Sequence, residues 1–449
     1  MNRETSDTTL GNGLRVVVVR THGAPLAEVR LVLPYARTAP HLAEAQELLA
    51  ALFGTGTGAG TGTGTGTGAC ATAGARTRQD VADLAADLGA ELSTVVTAES
   101  LVVAASVLRA GLPGVLALLS DLLLRPAYRE AELALAQRRA AASPRTPGPR
   151  QRLRRALLGH AFGTHPLTDP PTAPAAATTP EDLYALHARA VVPDGAVLLV
   201  TTPDDPDEVG VRVRELLAPW SGGPSGLVLP PFARRAPRPG RIALTEPAGP
   251  AGSAGTAAAG SGSGSGRALV LCAAPAVPDG HPAHAPLHLA QLILGGSASS
   301  RLARRVRDRH GLAYAVSADL RGNRAGDWLE IECAGAPGTA GRIAGEITDC
   351  LRELAADGPS PEEVERARAY ASGFTRFALA TRTEEASALA GFAAAGLPLD
   401  WLEGYRDRLA KVTHHQVAEA AAYFLDPARV AVSTLDEADH DHESDRSTQ

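Results

Sequence analysis

The chain has 449 residues, of which 45% are hydrophobic and 20% charged, and its formal net charge is -6 at pH 7. The length is too great for one ordinary core and predicts two domains, while the lack of an apolar run near roughly 18 residues excludes a membrane helix. Most of the negative charge lies in the terminal stretch DEADHDHESDRSTQ (436–449), so the body has no nucleic-acid-binding character.

Strands and helices alternate along the first half of the chain. The polar start, MNRETSDTTLGNG, lacks an apolar signal segment, and we therefore expect a cytoplasmic location. The β-branched stretches LRVVVVRT and AEVRLVLPY predict two strands. Helical periodicity follows in five segments: 41–53, 77–88, 112–124, 130–142 and 150–160.

Two low-complexity tracts interrupt this pattern, at 54–70 and 249–266. They consist almost wholly of Gly, Ala, Ser and Thr, which offer little apolar surface to bury. We predict that both tracts are mobile loop insertions, because burial cannot offset the entropy of ordering them.

An internal repeat is visible in the sequence. TPEDLYALHARAVVPDGAVLLVTT, from Thr179, and THHQVAEAAAYFLDPARVAVST, from Thr413, each contain a Thr N-cap, a helix, a later proline and a strand. ADLAADLGAELSTVV (82–96) and RRVRDRHGLAYAVSA (304–318) each predict a helix that ends at glycine and turns into a strand. We predict an N-terminal domain at 1–222, an extended linker at 223–240, a C-terminal domain at 241–435 and a disordered acidic tail at 436–449.

These features together resemble the M16 zinc peptidases, the family of pitrilysin and the mitochondrial processing peptidase, and especially its short bacterial members that pair as two subunits. The similarity covers nearly the whole chain and is most specific in LGGSASSRLARRVRDRHGLAYAVSA (294–318); it also includes LGNGLRVVVVR and HAFGTHPLTDPP. The resemblance implies an α+β fold of two homologous processing-peptidase-like domains. Each would be a mainly antiparallel sheet with helices packed on it, and together they would form half of a clam-shell chamber.

The zinc motif of the family is degenerate in this chain. In H-x-x-E-H, histidines at helix positions i and i+4 bind Zn²⁺, and the glutamate activates a bound water. One alignment starts at His41 and reads HLAEA (41–45), with Glu44 in place and Ala45 at the fifth position. The alternative, anchored on the downstream Gly-Thr and preferred, reads ELLAA (47–51) and has neither histidine nor the base. Both alignments have alanine where the second histidine belongs.

The third zinc ligand also has no counterpart. The resemblance places a glutamate ligand in the helix that contains AELALAQRRAAAS (131–143), but no glutamate occurs from Leu133 through Pro180. Arg138 and Arg139 bring positive charge to that helix instead. We therefore expect neither a zinc site nor another cofactor in this chain, with zinc held by a partner subunit.

Arg307 and Tyr314 stand in RDRHGLAY, the arginine near the end of a helix and the tyrosine early on the next strand. In the family, such a pair reaches across the closed chamber to substrate beside the zinc. A fixed cation and a phenolic hydroxyl can hydrogen-bond a peptide carbonyl and stabilise its developing negative charge. The alternative is a surface arginine and a tyrosine that merely fills a strand. We expect Arg301, Arg304 and Arg305 to line the chamber or form a solvated face.

Other histidines and the cysteines offer weaker sites. In HPAHAPLH, His281, His284 and His288 have a metal-like spacing, but two prolines interrupt the helix face, and a polar helix start is favoured over a zinc site. His414 and His415 follow an N-cap and are expected to be exposed. The four cysteines are far apart in sequence, which predicts buried thiols: Cys70, Cys272, Cys333 and Cys350.

The resemblance implies a non-catalytic, substrate-binding subunit of a heterodimeric zinc peptidase, with Arg307 and Tyr314 acting in trans on the partner's site. Its partners would be a subunit with an intact H-x-x-E-H motif and peptide substrates, with no nucleic acid and no membrane. A non-proteolytic scaffold is the first alternative and would need neither Arg307 nor Tyr314. An autonomous hydrolase built on His41 or the HPAHAPLH histidines is the second.

Overall fold

The computed structural model describes residues 4–38, 42–58, 75–142, 147–168, 178–245, 267–377 and 379–436. Within these ranges the chain forms two sheets surrounded by helices. The strands are β1 (Thr5–Thr9), β2 (Arg15–Arg20), β3 (Leu26–Pro34), β4 (Glu91–Val96), β5 (Ser100–Leu108), β6 (Val197–Thr202), β7 (Gly240–Thr245), β8 (Ala268–Pro275), β9 (Ala313–Asn323), β10 (Gly326–Gly335) and β11 (Ala431–Asp436).

Helices account for most of the remaining described residues. They are α1 (Ala43–Leu52), α2 (Arg78–Asp87), α3 (Leu112–Leu124), α4 (Glu130–Ala142), α5 (Pro149–Phe162), α6 (Pro180–Ala190), α7 (Pro206–Leu217), α8 (His284–Gln291), α9 (Ala340–Asp357), α10 (Pro361–Phe377), α11 (Arg382–Ala394), α12 (Trp401–Lys411) and α13 (His414–Phe424). Two further segments, Leu292–Gly296 and Ala303–Arg309, are wound as π-helix.

The chain divides into two compact units. Unit 1 consists of Met1–Arg145, Pro170–Pro230 and Arg376–Leu402, and unit 2 of Thr146–Asp169, Pro231–Thr375 and Glu403–Gln449. Helix α5 therefore belongs to unit 2 and helix α11 to unit 1. The domain bounds 1–222 and 241–435 are drawn from the internal repeat of the sequence. They stay a prediction.

The two sheets share one topology over five strands, and the sheet of unit 1 has one additional strand, β1. Their strand orders are β1-β2-β6-β3-β5-β4 in unit 1 and β7-β11-β8-β10-β9 in unit 2. In each sheet one pair is parallel, β2 with β6 and β7 with β11, and the remaining pairs are antiparallel. The second sheet thus repeats β2 to β6 of the first. This confirms the α+β class with two mostly antiparallel sheets.

Strand β2 shows why its valines are needed. Alternate side chains point to opposite faces of a strand, so Val16 and Val18 enter the main core of unit 1, while Val17 and Val19 pack with Leu389 of α11. Burial on both faces explains the unbroken run RVVVVR. Each fully buried valine contributes roughly 1.5–3 kcal/mol of transfer free energy.

Unit 2 is built on the same physical basis. All eight residues of β8 are buried, and the apolar stripe of α9 buries Ile343, Ile347, Leu351 and Leu354 at helical spacing. Residues 221–239 form neither helix nor strand, and Phe232 stacks on Phe162 of α5 at 4.2 Å between ring centroids. The linker at 223–240 stays a prediction, and its last residue, Gly240, begins β7.

The predicted helices and strands of the first half are confirmed to within two residues at each described end. The mobile-loop prediction is wrong for residues 54–58, because Thr57 exchanges backbone hydrogen bonds with Arg76 at 3.0 Å; residues 59–74 and 246–266 lie outside the described ranges. Asp436, the first residue of the predicted tail, ends β11, and 437–449 are not described. No described helix has the length and apolarity to cross a bilayer.

Candidate functional site

The segment 294–318 joins two π-helical turns to the outermost strand of unit 2. Gly295 permits close packing, since a Cβ there would lie 2.9 Å from the Cβ of Ala318 on β9. Gln291 Nε2 donates to the carbonyl of the same Ala318 and fixes the strand to the end of α8. Gly311, at φ +60°, reverses the chain between the second π-helical segment and β9. π-helical turns recur at functional sites because they shift side chains off the α-helical rows.

Arg307 lies near the end of that second π-helical segment and is exposed. Its Nε donates to Asp308 Oδ1 at 2.9 Å, and its Nη2 donates to the carbonyl of Ala298 at 3.3 Å. The second contact ties the guanidinium to the turn that precedes the helix. The position agrees with the sequence prediction, and the exposed guanidinium retains donors for a ligand.

Tyr314 is the second residue of β9, and 66% of its surface is exposed. The ladder with β10 pairs Ala313 with Gly335 and Ala315 with Ala334, so Tyr314 is an extra residue at a β-bulge. A Cβ at Gly335 would collide with the carbonyl oxygen of Leu312, which explains the glycine opposite the bulge. Tyr314 therefore does not fill the strand. Bulges redirect side chains and occur often beside active sites.

Two of the three other arginines of the segment, Arg301 and Arg305, differ from the expectation of a solvated face or chamber lining. Arg301 donates to Glu363 from Nε at 2.9 Å and from Nη2 at 2.7 Å, and both side chains are mostly buried. Arg305 pairs with Glu346 at 2.6 Å and with Glu353 at 2.8 Å. Arg304 is half exposed and lies 3.5 Å from Glu363. Two of the three thus serve to hold the helix in place, and their partners lie too far along the sequence to be inferred from it.

Helix α1 presents the degenerate zinc motif. His41 lies outside the described residues, and Ala45, four positions later, is 7% exposed and points into the core. In the alternative alignment Glu47 and Ala51 share an exposed helix face, and Glu47 pairs with Arg37 at 2.8 Å. A metal-binding pair must face an accessible space, so the geometry supports the ELLAA alignment. A methyl group at the fifth position cannot bind zinc, and the residues do not fit the metal.

Helix α4 supplies no replacement ligand. Arg138 and Arg139 are exposed on it, and its Glu132 pairs with Arg78 at 3.0 Å. Among the described residues, no three His, Cys, Asp or Glu side chains are grouped so that they could hold a metal ion. Cys272, Cys333 and Cys350 are buried free thiols, as predicted, and Cys70 lies outside the described residues.

Two of the HPAHAPLH histidines, His284 and His288, form a buried hydrogen-bond network, while His281 is exposed at the start of the helix. Tyr405 Oη lies 3.0 Å from His284 Nδ1 and 2.8 Å from His288 Nδ1, and His284 Nε2 lies 3.1 Å from Asp279. If His284 donates to Asp279, it accepts from the tyrosine hydroxyl, which in turn accepts from His288. Burial lowers the pKa of both histidines to about 4. Both ring nitrogens of His284 are occupied, which disfavours a zinc site.

Comparison with known proteins places these features in a family. Residues 177–370 match the family model described as the peptidase M16 inactive domain. This range includes Arg307 and Tyr314 and excludes α1. A search of curated proteins found no match.

Solved structures share the fold over almost the whole chain. One is described as a peptidase M16 inactive domain from Pseudomonas fluorescens: its TM-score is 0.78 at 19% identity, over 97% of this chain and 98% of that one. A protease from Helicobacter pylori gives a TM-score of 0.77 at 14% identity, over 97% and 99%. A conserved protein from Enterococcus faecalis gives 0.74 at 14% identity, over the same shares. The match of residues 177–370 to the peptidase M16 inactive domain model thus confirms the M16 resemblance seen in the sequence, and the solved structures share the fold.

Proposed function

We propose that this protein is the non-catalytic, substrate-binding subunit of a two-subunit M16 zinc peptidase. The observation that carries the proposal is the exposed Tyr314 at a bulge of β9, seven residues after the exposed Arg307, in a chain whose preferred zinc-motif alignment holds no histidine. Neither the cation at the end of the π-helical segment nor the phenol on β9 is buried in a packed core, and both are accessible to a ligand. The zinc and its H-x-x-E-H helix would come from the partner.

The chemistry of the pair fits a peptide carbonyl. Arg307 offers a permanent positive charge, and the Tyr314 hydroxyl offers one hydrogen-bond donor. Donors that aim at an oxygen which gains negative charge stabilise the transition state more than the ground state. Strand β9 has β10 as its neighbour on one side and ends the described sheet on the other, and an extended peptide could bind along such an edge.

The wider assembly follows from the family and is part of the same proposal. The chain would form half of a clam-shell chamber, and a subunit with an intact zinc motif would form the other half. One solved structure with this fold is described as an inactive domain, and another is described as a protease. A fold common to inactive and active proteins is consistent with a subunit that pairs with a catalytic relative. Short unstructured peptides are the proposed substrates.

The test is reconstitution with an M16 subunit of the same genome that has an intact H-x-x-E-H motif. Tyr314→Phe should leave assembly and bound zinc unchanged and lower kcat on the order of 10- to 1000-fold, the effect of removing one oxyanion donor. Arg307→Ala should also raise KM, because its charge can contact the peptide before reaction.

Matched controls separate the site from the surface. Tyr423→Phe removes a hydroxyl from another tyrosine, 54% exposed, and Arg309→Ala removes a neighbouring exposed guanidinium. Both should keep full turnover. If Tyr314→Phe and Arg307→Ala are also fully active in an intact complex, the proposal fails and the scaffold alternative takes its place.

A further inference from the structure

A cavity of about 350 Å³ lies in unit 2 between α10 and the turn at residues 297–300. This volume is at the lower end of the roughly 300–1,000 Å³ typical of small-molecule sites. The α10 wall presents four side chains at helical spacing: Glu363, Arg366, Ala367 and Tyr370. The opposite wall is formed by three serines of the turn: Ser297, Ser299 and Ser300.

The floor of the cavity is apolar. Leu292 and Ile293 of the first π-helical turn line it together with Ala367, and each of the three is at most 6% exposed. Tyr370, which is 47% exposed, stands at the rim. A ligand that fills this space would have to bury an apolar group against the floor.

The charge of the lining is positive. Glu363 already accepts two hydrogen bonds from Arg301 and one from the backbone N–H of Ser360 at 2.8 Å. These bonds, Arg301 first, lower the pKa of Glu363, so the carboxylate stays ionised and is neutralised by Arg301. Arg304 then remains half exposed, 3.5 Å from a carboxylate that is already bonded.

Arg366 provides the second cation. It is exposed on α10, and no carboxylate of the described residues lies within 4.0 Å of its guanidinium. Its neighbour Glu362 accepts from Ser360 Oγ at 2.8 Å, interacts with Arg366 only through the field of its charge, and does not line the cavity. Two guanidinium groups and the serines of the turn therefore surround an apolar floor.

We infer that this cavity binds a carboxylate with an apolar side chain, namely the free C-terminal residue of a peptide. Arginine forks match the geometry of a carboxylate and can bind it through two parallel hydrogen bonds. The hydroxyl of the exposed Ser299 can donate to a remaining lone pair, and the side chain of the terminal residue would rest on Leu292, Ile293 and Ala367. An acidic side chain has the same head group, and the experiment distinguishes the two sources.

The inference stands apart from the role proposed for Tyr314. The turn 297–300 is shared, since Ala298 accepts from Arg307, but the cavity has its own residues and needs no partner subunit. Binding can therefore be measured on this chain alone. If the binding titration fails, the turnover test of Tyr314 is unaffected. If the turnover test fails, the binding titration is unaffected.

The experiment is a calorimetric titration of the full chain with three probes. They are N-acetyl-Ala-Leu with a free carboxyl end, the same dipeptide as its amide, and N-acetyl-Asp-Leu amide. The free acid should bind at least about tenfold more tightly than its amide, because a hydrogen bond to a charged group is lost. Equal binding of the free acid and its amide overturns the inference, and so does binding of the aspartyl amide as tight as that of the free acid.

Variants place the binding in the cavity. Arg304→Ala and Arg366→Ala should each weaken the free acid about tenfold or more, and Ala367→Leu should weaken it by filling the floor. Arg342→Ala, which removes an exposed arginine from α9, is the matched control and should bind as the wild type does. Circular dichroism checks the fold of each variant. Unchanged binding in both cavity arginine variants, or an equal loss in Arg342→Ala, would overturn the assignment.

Discussion

The helix–glycine–strand segments of the two units share a backbone design but differ in what they expose. In unit 1, α2 leads through Gly89, at φ +64°, to β4; in unit 2, the second π-helical segment leads through Gly311, at φ +60°, to β9. Aligned residue by residue, the positions of Arg307 and Tyr314 hold Ala85 and Leu92 in unit 1. The fold of this segment therefore requires neither the arginine nor the tyrosine.

The strands that follow show the same contrast. Leu92 pairs regularly with Ala105 of β5 and packs against the core of unit 1. Tyr314 is the extra residue of a bulge and is largely exposed. The side chain at this position packs against the core in unit 1 and is exposed in unit 2. A side chain that binds a ligand must be exposed in this way.

The largest expected effect is on stability, at the residues that anchor α2 in unit 1 and the second π-helical segment in unit 2. Glu363→Ala should destabilise unit 2 by about 2–4 kcal/mol, because it leaves the partly buried Arg301 without its partner. Helix α2 begins at a local capping box, so Thr77→Ala should cost about 1 kcal/mol in unit 1. Hydrogen exchange of peptides from each segment measures both losses separately. Glu353→Ala, at an exposed pair, is the control and should change little. Equal losses for Glu363→Ala and Thr77→Ala would remove the contrast.

The next prediction concerns the pH dependence of the stability of unit 2. Burial lowers the pKa of His284 and His288 of unit 2 to about 4, with Arg408 and His281 as lesser causes at His284. Their folded pKa lies below the unfolded value of about 6.5, so their stabilising contribution is complete above pH 6.5. It is lost as the pH falls from there toward 4, by up to about 1.4 kcal/mol per pH unit for each histidine.

Acidic neighbours act with the opposite sign in part of this range. Burial raises the pKa of Asp327 to about 6, so this group favours the folded state as the pH falls below 6. The measurement is therefore a difference: urea unfolding of the wild type and of His288→Gln from pH 7 to pH 4.5. The free energy of unfolding of the variant should fall less steeply than that of the wild type as the pH is lowered. Parallel curves for the two proteins would show that His288 does not titrate on unfolding.

Local signals made much of the fold predictable from sequence. The helix of unit 1 that ends at Gly89 and the strand after it, the two Thr-capped helices, and the placement of Arg307 and Tyr314 all follow from periodicity and glycine position. Strand β1 was missed because TSDTT is polar and mostly exposed, and only its pairing with β2 makes it a strand.

Long-range partners were beyond local patterns. Glu363 lies 62 residues from Arg301, and Tyr405 lies 117 residues from His288, so no spacing rule connects them. The bulge at Tyr314 depends on the register with β10, which the sequence of β9 alone does not specify. The spacing of Glu363, Arg366, Ala367 and Tyr370 on α10 was visible, but only the opposite wall shows that it lines a cavity.

The reversal glycines should behave alike in both units. Gly89 and Gly311 have left-handed φ values, and an added Cβ would meet no atom within 4 Å at either position. Gly89→Ala and Gly311→Ala should therefore each cost about 1 kcal/mol from backbone strain alone. Thermal melts monitored by circular dichroism, with Gly341→Ala in the first turn of α9 as a control, measure this. A much larger loss at Gly311 would mean that the turn is held more tightly in unit 2 than the backbone angles indicate.

The smallest expected effect on stability is at Tyr314, whose equivalent position in unit 1 is Leu92. Tyr314→Leu gives unit 2 the residue of unit 1, and because the ring is exposed at a bulge, the free energy of unfolding should change by less than about 0.5 kcal/mol. Leu92→Ala removes side-chain contacts with the core and should cost about 1–2 kcal/mol, less than a fully buried leucine. Urea unfolding of both variants, read at pH 7, gives the comparison. A stable Tyr314→Leu protein would also be a clean reagent for the turnover test, since any lost activity could not come from lost folding. A loss at Tyr314 as large as that at Leu92 would show that the tyrosine serves the fold, and the argument from its exposure would no longer hold.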